Sequence, residues 1–213
     1  MEKEFLLNRN GDRNKTTTYS RKMTTYISLL RGINVSGQKM IKMELLIEMY
    51  KGLYFENIQT YIQSGNVVFQ FKKSENKDLE EIISSQIQKS FGFEVPVIVL
   101  DKDELMSIIQ RSPYKADKTK DVPFLHVTFL SSVPEQINLD TISRSKSSGE
   151  ELSLIDRAVY LYCPKGYGKT KLTNTLFEKR LKVGATTRNW KTTLELLDIA
   201  EGNKHEVLRT VVV

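Results

Sequence analysis

Lys165, Lys169 and Thr170 are the residues whose spacing comes nearest to phosphate chemistry. They lie in YLYCPKGYGKTKLTNTLFEKR, residues 160–180, where an apolar strand runs into a glycine loop and then a helical pattern. A nucleotide-binding P-loop needs G-x-x-x-x-G-K-[ST]: successive backbone N–H groups wrap the phosphates and the hydroxyl reaches magnesium. Gly168-Lys169-Thr170 fits the end of that pattern, but Cys163 stands where the first glycine belongs. Pro164 also removes a backbone donor. Only 43 residues follow Thr170, and none forms an apolar strand ending in a magnesium-binding Asp. A nucleoside triphosphatase is excluded. Two readings of the loop remain. One is a weaker anion site, in which Gly166, Gly168 and the helix start offer N–H groups beside Lys165 and Lys169. The other is a strand-to-helix turn whose lysines sit in solvent.

A second polar group is split along the chain. RGIN (31–34) and SGN (64–66) supply Arg31, Asn34, Ser64 and Asn66, all with hydrogen-bonding side chains. They form a candidate small polar site, although Asn and Ser in turns usually satisfy their own backbone. GATTRNWKT (184–192) adds Arg188, which can pair with a carboxylate or phosphate, and Asn189, which with Thr187 is a candidate helix cap. Trp190 heads an apolar face and reads as core. Tyr160, Tyr162 and Tyr167 are stacking candidates for a base only if exposed. Metal and nucleophilic chemistry find little to stand on. His126 and His205 are not spaced as a ligand pair, and His126 alternates with Phe124 and Thr128 as a half-buried strand residue would. Cys163, the only cysteine, has Lys165 nearby but reads as a small hydrophobe at a strand end. Asp101 and Glu104 have capping-box spacing. No catalytic residue, metal site or cofactor is read here.

Charge is concentrated. From Pro164 to Lys191 there are eight Lys or Arg against Glu178 alone, a local +7 in a chain of net +6. Such a field attracts phosphates or nucleic acid, or is an ordinary solvated face. The chain has no apolar run of 18 residues and no apolar signal segment at its start, so the expectation is a cytoplasmic protein with no membrane partner.

The elements that must position these groups follow from periodicity. Residues 1–22 are polar and aperiodic and read as a disordered leader. TYISLLR is a strand, and KMELLIEMYKG a helix with Ile41, Leu45 and Met49 at four-residue steps. IQTYIQ and NVVFQF form a hairpin around Ser64-Gly65. DLEEIISSQIQKSFG carries a stripe of Leu79, Ile82, Ile83 and Ile87, and EVPVIVL closes a βαββαβ unit. After a helix at 102–110, VPFLHVTFL restarts the strand pattern, with a short helix near 134–142. EELSLI and AVYLYC form a hairpin at Asp156-Arg157, a helix follows Gly168, and Trp190, Leu194 and Leu197 mark a final helix. The second half therefore echoes βαββα. The fold class is α+β, two ferredoxin-like subdomains at 23–100 and 121–213, joined by a helix and loop at 101–120. Strands 25–31 and 66–71 should be antiparallel neighbours, bringing RGIN and SGN to one sheet edge.

YISLLRGINVSGQKMIKMELL, YIQSGNVVF, HVTFL, YGKTKLTN and ATTRNWKT, in this order between Met23 and Ala200, resemble the bacterial family called domain of unknown function 1697. The resemblance implies a pair of ferredoxin-like α+β subdomains and transfers no activity. Its recurring blocks match Arg31, Gly32, Asn34, Gly37, Ser64, Gly65, Asn66, Gly168, Lys169, Thr170, Thr187, Arg188, Asn189 and Trp190. Three functional readings follow. The first is a non-enzymatic binding module for an anionic partner, a phosphate-bearing ligand or nucleic acid, through 165–191. The second is a small-molecule enzyme whose site joins the RGIN and SGN loops to the second half. The third is a structural or protein-interaction domain. Convergence or scatter of the polar groups discriminates among them.

Overall fold

The computed structural model describes residues 23–135 and 139–203. Residues 1–22, where a leader is expected, and His205 lie outside the described residues. The first half runs β1 (Met23–Leu30), α1 (Met43–Gly52), β2 (Glu56–Tyr61), β3 (Asn66–Lys72), α2 (Asn76–Phe91) and β4 (Val97–Asp101). The second runs β5 (Leu125–Leu130), α4 (Leu139–Ser143), β6 (Glu151–Ile155), β7 (Ala158–Tyr162), α5 (Asn174–Leu181) and β8 (Ala185–Asn189). Between them lies α3 (Lys102–Gln110), and α6 (Trp190–Ala200) closes the described chain. Each half makes a four-stranded antiparallel sheet, ordered β2-β3-β1-β4 and β6-β7-β5-β8. The expected pairing of β1 with β3 is present, with Leu29 opposite Asn66.

Strand alternation sends each sheet's side chains to two cores. From β1, Tyr26 and Leu30 face α1 and α2, while Ile27 and Leu29 face the other way. That inner core also takes Leu125, Val127 and Phe129 from β5, together with α3 and α6. The two halves therefore share one apolar interior between their sheets. A third core, with Phe177 and Leu181 of α5, lies on the outer face of the second sheet.

Three helix faces differ from the periodicity reading. In α1 the buried stripe is Leu46, Met49 and Tyr50, and Leu45 is 54% exposed. In α2 it is Leu79, Ile83 and Ile87, with Ile82 turned outward. In α6 it is Trp190, Thr193, Leu196 and Ala200, with Thr192 also buried and Leu194 outward. Several apolar stripes fit each short helix, and tertiary packing selects among them. The larger difference is β8. ATTRN belongs to a polar cluster that gives no strand signal, yet it pairs with β5 from Ala185 opposite Leu130 to Asn189 opposite His126. It completes a second βαββαβ unit. Two β-branched threonines suit a pleated strand, and the polar side chains of this one find internal partners.

Asp101 caps α3, its carboxylate accepting from the Glu104 N–H at 2.8 Å. Glu104 does not reach back as a capping box would. Its carboxylate instead accepts from Arg157 at 2.8 Å and from Asn76 at 3.0 Å, tying α2, α3 and the β6–β7 turn. Glu80 lies 4.0 Å from the same guanidinium and accepts from the Val99 N–H at 2.9 Å. Burial raises the pKa of both carboxyls, partly offset for Glu80 by the Val99 N–H and then Arg157, and for Glu104 first by Arg157. A carboxyl raised in the folded state binds more protons there than in the unfolded chain above the ordinary value of 4.5, so stability from this source falls as pH rises. Glu80→Gln keeps the acceptor for Val99 and removes the charge. Relative to wild type it should gain stability as pH rises from 4.5 toward neutrality, measured as the difference in urea unfolding free energy. A pH-independent difference would contradict the burial cause.

Candidate functional site

The end of β1, the start of β3 and the end of β8 meet, and Arg188 fills the junction. Its guanidinium has five N–H donors, and five oxygens accept from them. Nε donates to the Asn66 side-chain oxygen. One terminal nitrogen donates to Thr186 Oγ1 and the Thr187 carbonyl, each at 2.9 Å. The other donates to the Leu30 carbonyl at 2.8 Å and the Ser64 carbonyl at 3.4 Å. Three of the five acceptors belong to the first half. Among the described residues no carboxylate pairs with this cation, and burial lowers its pKa to about 10, so it is charged at neutral pH. Taking a charge from water is costly; here neutral dipoles replace the lost hydration.

The partners are themselves fixed. Asn66 is fully buried and donates to the Tyr61 carbonyl at 3.1 Å and Ser64 Oγ at 2.9 Å. Gly65 takes φ +73°, and its carbonyl accepts from the Leu30 N–H at 2.8 Å. Arg31 turns to Glu178, whose carboxylate also accepts from the Ala185 N–H. Asn34 closes its own loop: its amide donates to the Ile41 and Gln63 carbonyls at 2.9 Å, and its oxygen accepts from the Ile41 N–H at 2.7 Å. RGIN and SGN are thus joined to the second half, and the hydrogen bonds of Asn34, Ser64, Asn66 and Arg188 go to the protein itself.

A neighbouring network went unread in the sequence. Thr187 Oγ1 accepts from Tyr167 at 3.0 Å, donates to the Asn174 side chain at 2.6 Å and meets Thr128 Oγ1 at 2.7 Å. Tyr167 stacks on His126 with ring centroids 4.8 Å apart. His126 is half-buried, bonded to the Phe124 carbonyl at 3.2 Å, and burial lowers its pKa. The signal lay in alternation: Thr187 and His126 sit on strands that pair.

The glycine loop behaves as a turn. The Gly166 N–H donates to Cys163 O at 2.8 Å, Lys169 N–H to Gly166 O at 3.1 Å and Thr170 N–H to Tyr167 O at 3.3 Å. Thr170 is buried, and its hydroxyl accepts from the Leu172 N–H at 3.0 Å. Cys163 is buried, and its thiol pKa is pushed up to about 11, mainly by burial. Thr173 caps α5 and Asn189 caps α6. Trp190 and Tyr160 are in the inner core.

Arg188 points inward, but the other seven cations of this stretch are exposed: Lys165, Lys169, Lys171, Lys179, Arg180, Lys182 and Lys191. Among the described residues none of these seven forms an ion pair or a side-chain hydrogen bond; the ion pairs involve other cations. Strands β7 and β8 both run antiparallel to β5, so they end at the same side of the sheet. Lys165, Lys169 and Lys171 follow the end of β7, and Lys191 follows the end of β8. Lys179, Arg180 and Lys182 lie at the other end of α5, whose eight residues span about 12 Å. Among the described residues no group of three His, Cys, Asp or Glu is placed to hold a metal ion, and no helix is long and apolar enough to cross a membrane.

The family model for DUF1697, described as a protein of unknown function, matches residues 23–160. The chain belongs to that family. The match covers β1 through most of β7 and stops before the glycine loop and β8. A conserved bacterial protein from Streptococcus pneumoniae, SP0830, has a similar solved structure, with a TM-score of 0.64 and 23% identity over 84% of this chain and 99% of that one. At that identity the likeness shows the fold alone. No curated protein matches the chain.

Proposed function

We propose that this DUF1697 member is a non-enzymatic binding module for an extended anionic partner, nucleic acid, held by the exposed cations between Lys165 and Lys191. The observation that carries the reading is the set of seven exposed cations that have no acidic partner among the described residues, beside Glu178, which is already engaged by Arg31. Unpaired surface cations keep their charge available for phosphates, whose neutralisation releases counterions. Their spread over both ends of α5 suits a chain of phosphates better than a single compact one. The small-molecule reading has less to draw on, because the polar donors of the RGIN–SGN junction are spent within the protein.

Binding through the glycine loop then rests on lysine charge more than on a backbone cradle. Lys165→Gln with Lys169→Gln should weaken binding of labelled oligonucleotides, with the loss shrinking at high salt. The salt slope should fall by about 1.8 for duplex DNA if both lysines touch phosphate. Fluorescence anisotropy at several salt concentrations reads both quantities. Identical curves for wild type and double variant would remove the loop from the interface. Any ATP binding should be indifferent to magnesium, since Cys163 stands at the first-glycine position and Thr170 is buried with its hydroxyl at the Leu172 N–H.

A further inference from the structure

A cavity of about 260 Å³ opens between α3 and the β6–β7 turn, where the two halves meet. Its polar wall carries two acids and two bases: Glu104, Asp156, Arg111 and Arg157, with the exposed Ser107 hydroxyl beside them. Ile108, Val133 and Ile155 supply apolar surface. Val133 is 55% exposed, an apolar side chain left in water at this wall. The four charges are not equivalent. Arg157 and Glu104 form the inner pair, bonded at 2.8 Å, with Arg157 Nε also held by the Leu130 carbonyl at 3.0 Å. Arg157 Nη2 is buried without a hydrogen-bond partner and faces the Glu80 carboxylate at 4.0 Å, so it is turned away from the cavity. Arg111 and Asp156 form the outer pair, and both side chains are at least half exposed. Asp156 is held in a left-handed conformation, φ 49°, at the tip of the turn.

We propose that this cavity binds a small zwitterion, an α-amino acid with an apolar side chain. An exposed ion pair is worth little, so separating Arg111 from Asp156 costs little, and the ligand restores both partners. Its carboxylate takes Arg111 and the Ser107 hydroxyl; its ammonium takes Asp156. The wall is balanced in charge, which favours a neutral zwitterion over a bare anion or cation. Ile108, Val133 and Ile155 accept the side chain, and the volume admits one such molecule, below the range for larger ligands. The inner pair keeps the wall in place. This site is separate from the basic face and stands or falls independently of it.

Calorimetric titration of the full chain with leucine tests the assignment, alongside 4-methylpentanoate, 3-methylbutylamine and glycine. Leucine should bind saturably, and each of the other three at least about tenfold more weakly. Arg111→Ala and Asp156→Asn should each abolish the leucine signal. The thermal midpoint of the ligand-free protein should barely move, because the pair they break is exposed. Asn tolerates the left-handed turn position, so the second variant stays informative if the first perturbs the fold. No saturable leucine binding would overturn the proposal. So would an acid or amine that binds as well as leucine, or leucine binding that survives both substitutions.

Discussion

Replacing Arg188 with alanine should cost roughly 3–5 kcal/mol of unfolding free energy, because several buried acceptors lose their donor together. Leu30 O, Ser64 O, Thr187 O and the Asn66 and Thr186 side-chain oxygens all accept from this one guanidinium. Water entering the vacated space would recover part of the loss. Lysine keeps the charge with three donors in place of five, and its compact ammonium cannot span the same acceptors. Arg188→Lys should therefore fall between wild type and alanine. Because the acceptors come from both sheets, the defect should also loosen the union of the halves. Amide exchange near Leu30 and Asn66 should rise more than exchange at the far end of β3. Urea unfolding of the three proteins checks the ranking. A cost below about 1 kcal/mol would show the guanidinium to be an ordinary surface group.

Gly65→Ala should also be severe. A Cβ there would lie 2.7 Å from Leu30 Cβ and 2.9 Å from Ile33 Cδ1, and the φ of +73° is already unfavourable for an L side chain. Both neighbours are core residues without room to retreat. Backbone strain and overpacking together should cost about 2–4 kcal/mol. The 2.8 Å bond from Leu30 N–H to Gly65 O would be disturbed as well. The outcome should be a lower unfolding midpoint with Arg188 exchange protection reduced. Gly37 offers the contrast: its φ is also positive, but an added Cβ would meet nothing within 4 Å. Gly37→Ala should be distinctly milder. Equal costs would mean that backbone strain, not the approach to Leu30, dominates at Gly65.

The first half was legible because its strands are apolar enough to announce themselves and its hairpin carries a turn signal. From βαββαβ order alone, the meeting of RGIN with SGN followed. What filled the meeting point did not. Arg188 and the threonines of β8 make a strand whose burial is polar, so hydrophobic periodicity gave no strand signal there. Arg188 was instead counted with its seven exposed neighbours, since sequence shows charge but not direction. The Glu80–Arg157–Glu104 cluster was invisible for a similar reason. Its members lie on α2, the β6–β7 turn and α3, and only tertiary packing brings them together. Asn189 was legible as a cap because the reason is local: its side chain accepts from a backbone N–H three residues ahead.

The salt dependence of oligonucleotide binding tests the central claim most directly. Wild type is compared with a variant in which Lys165, Lys169, Lys171, Lys179, Arg180, Lys182 and Lys191 are all glutamine. These seven are exposed and without ion pairs among the described residues, so the variant should unfold at nearly the wild-type urea midpoint. Wild type should bind duplex or single-stranded DNA with log Kobs falling linearly against log salt. The duplex slope should approach about −6 if every cation meets a phosphate. In the variant, binding should nearly vanish and the slope flatten. A folded variant that binds with wild-type affinity and slope, or a wild type that binds no oligonucleotide at low salt, would contradict the account.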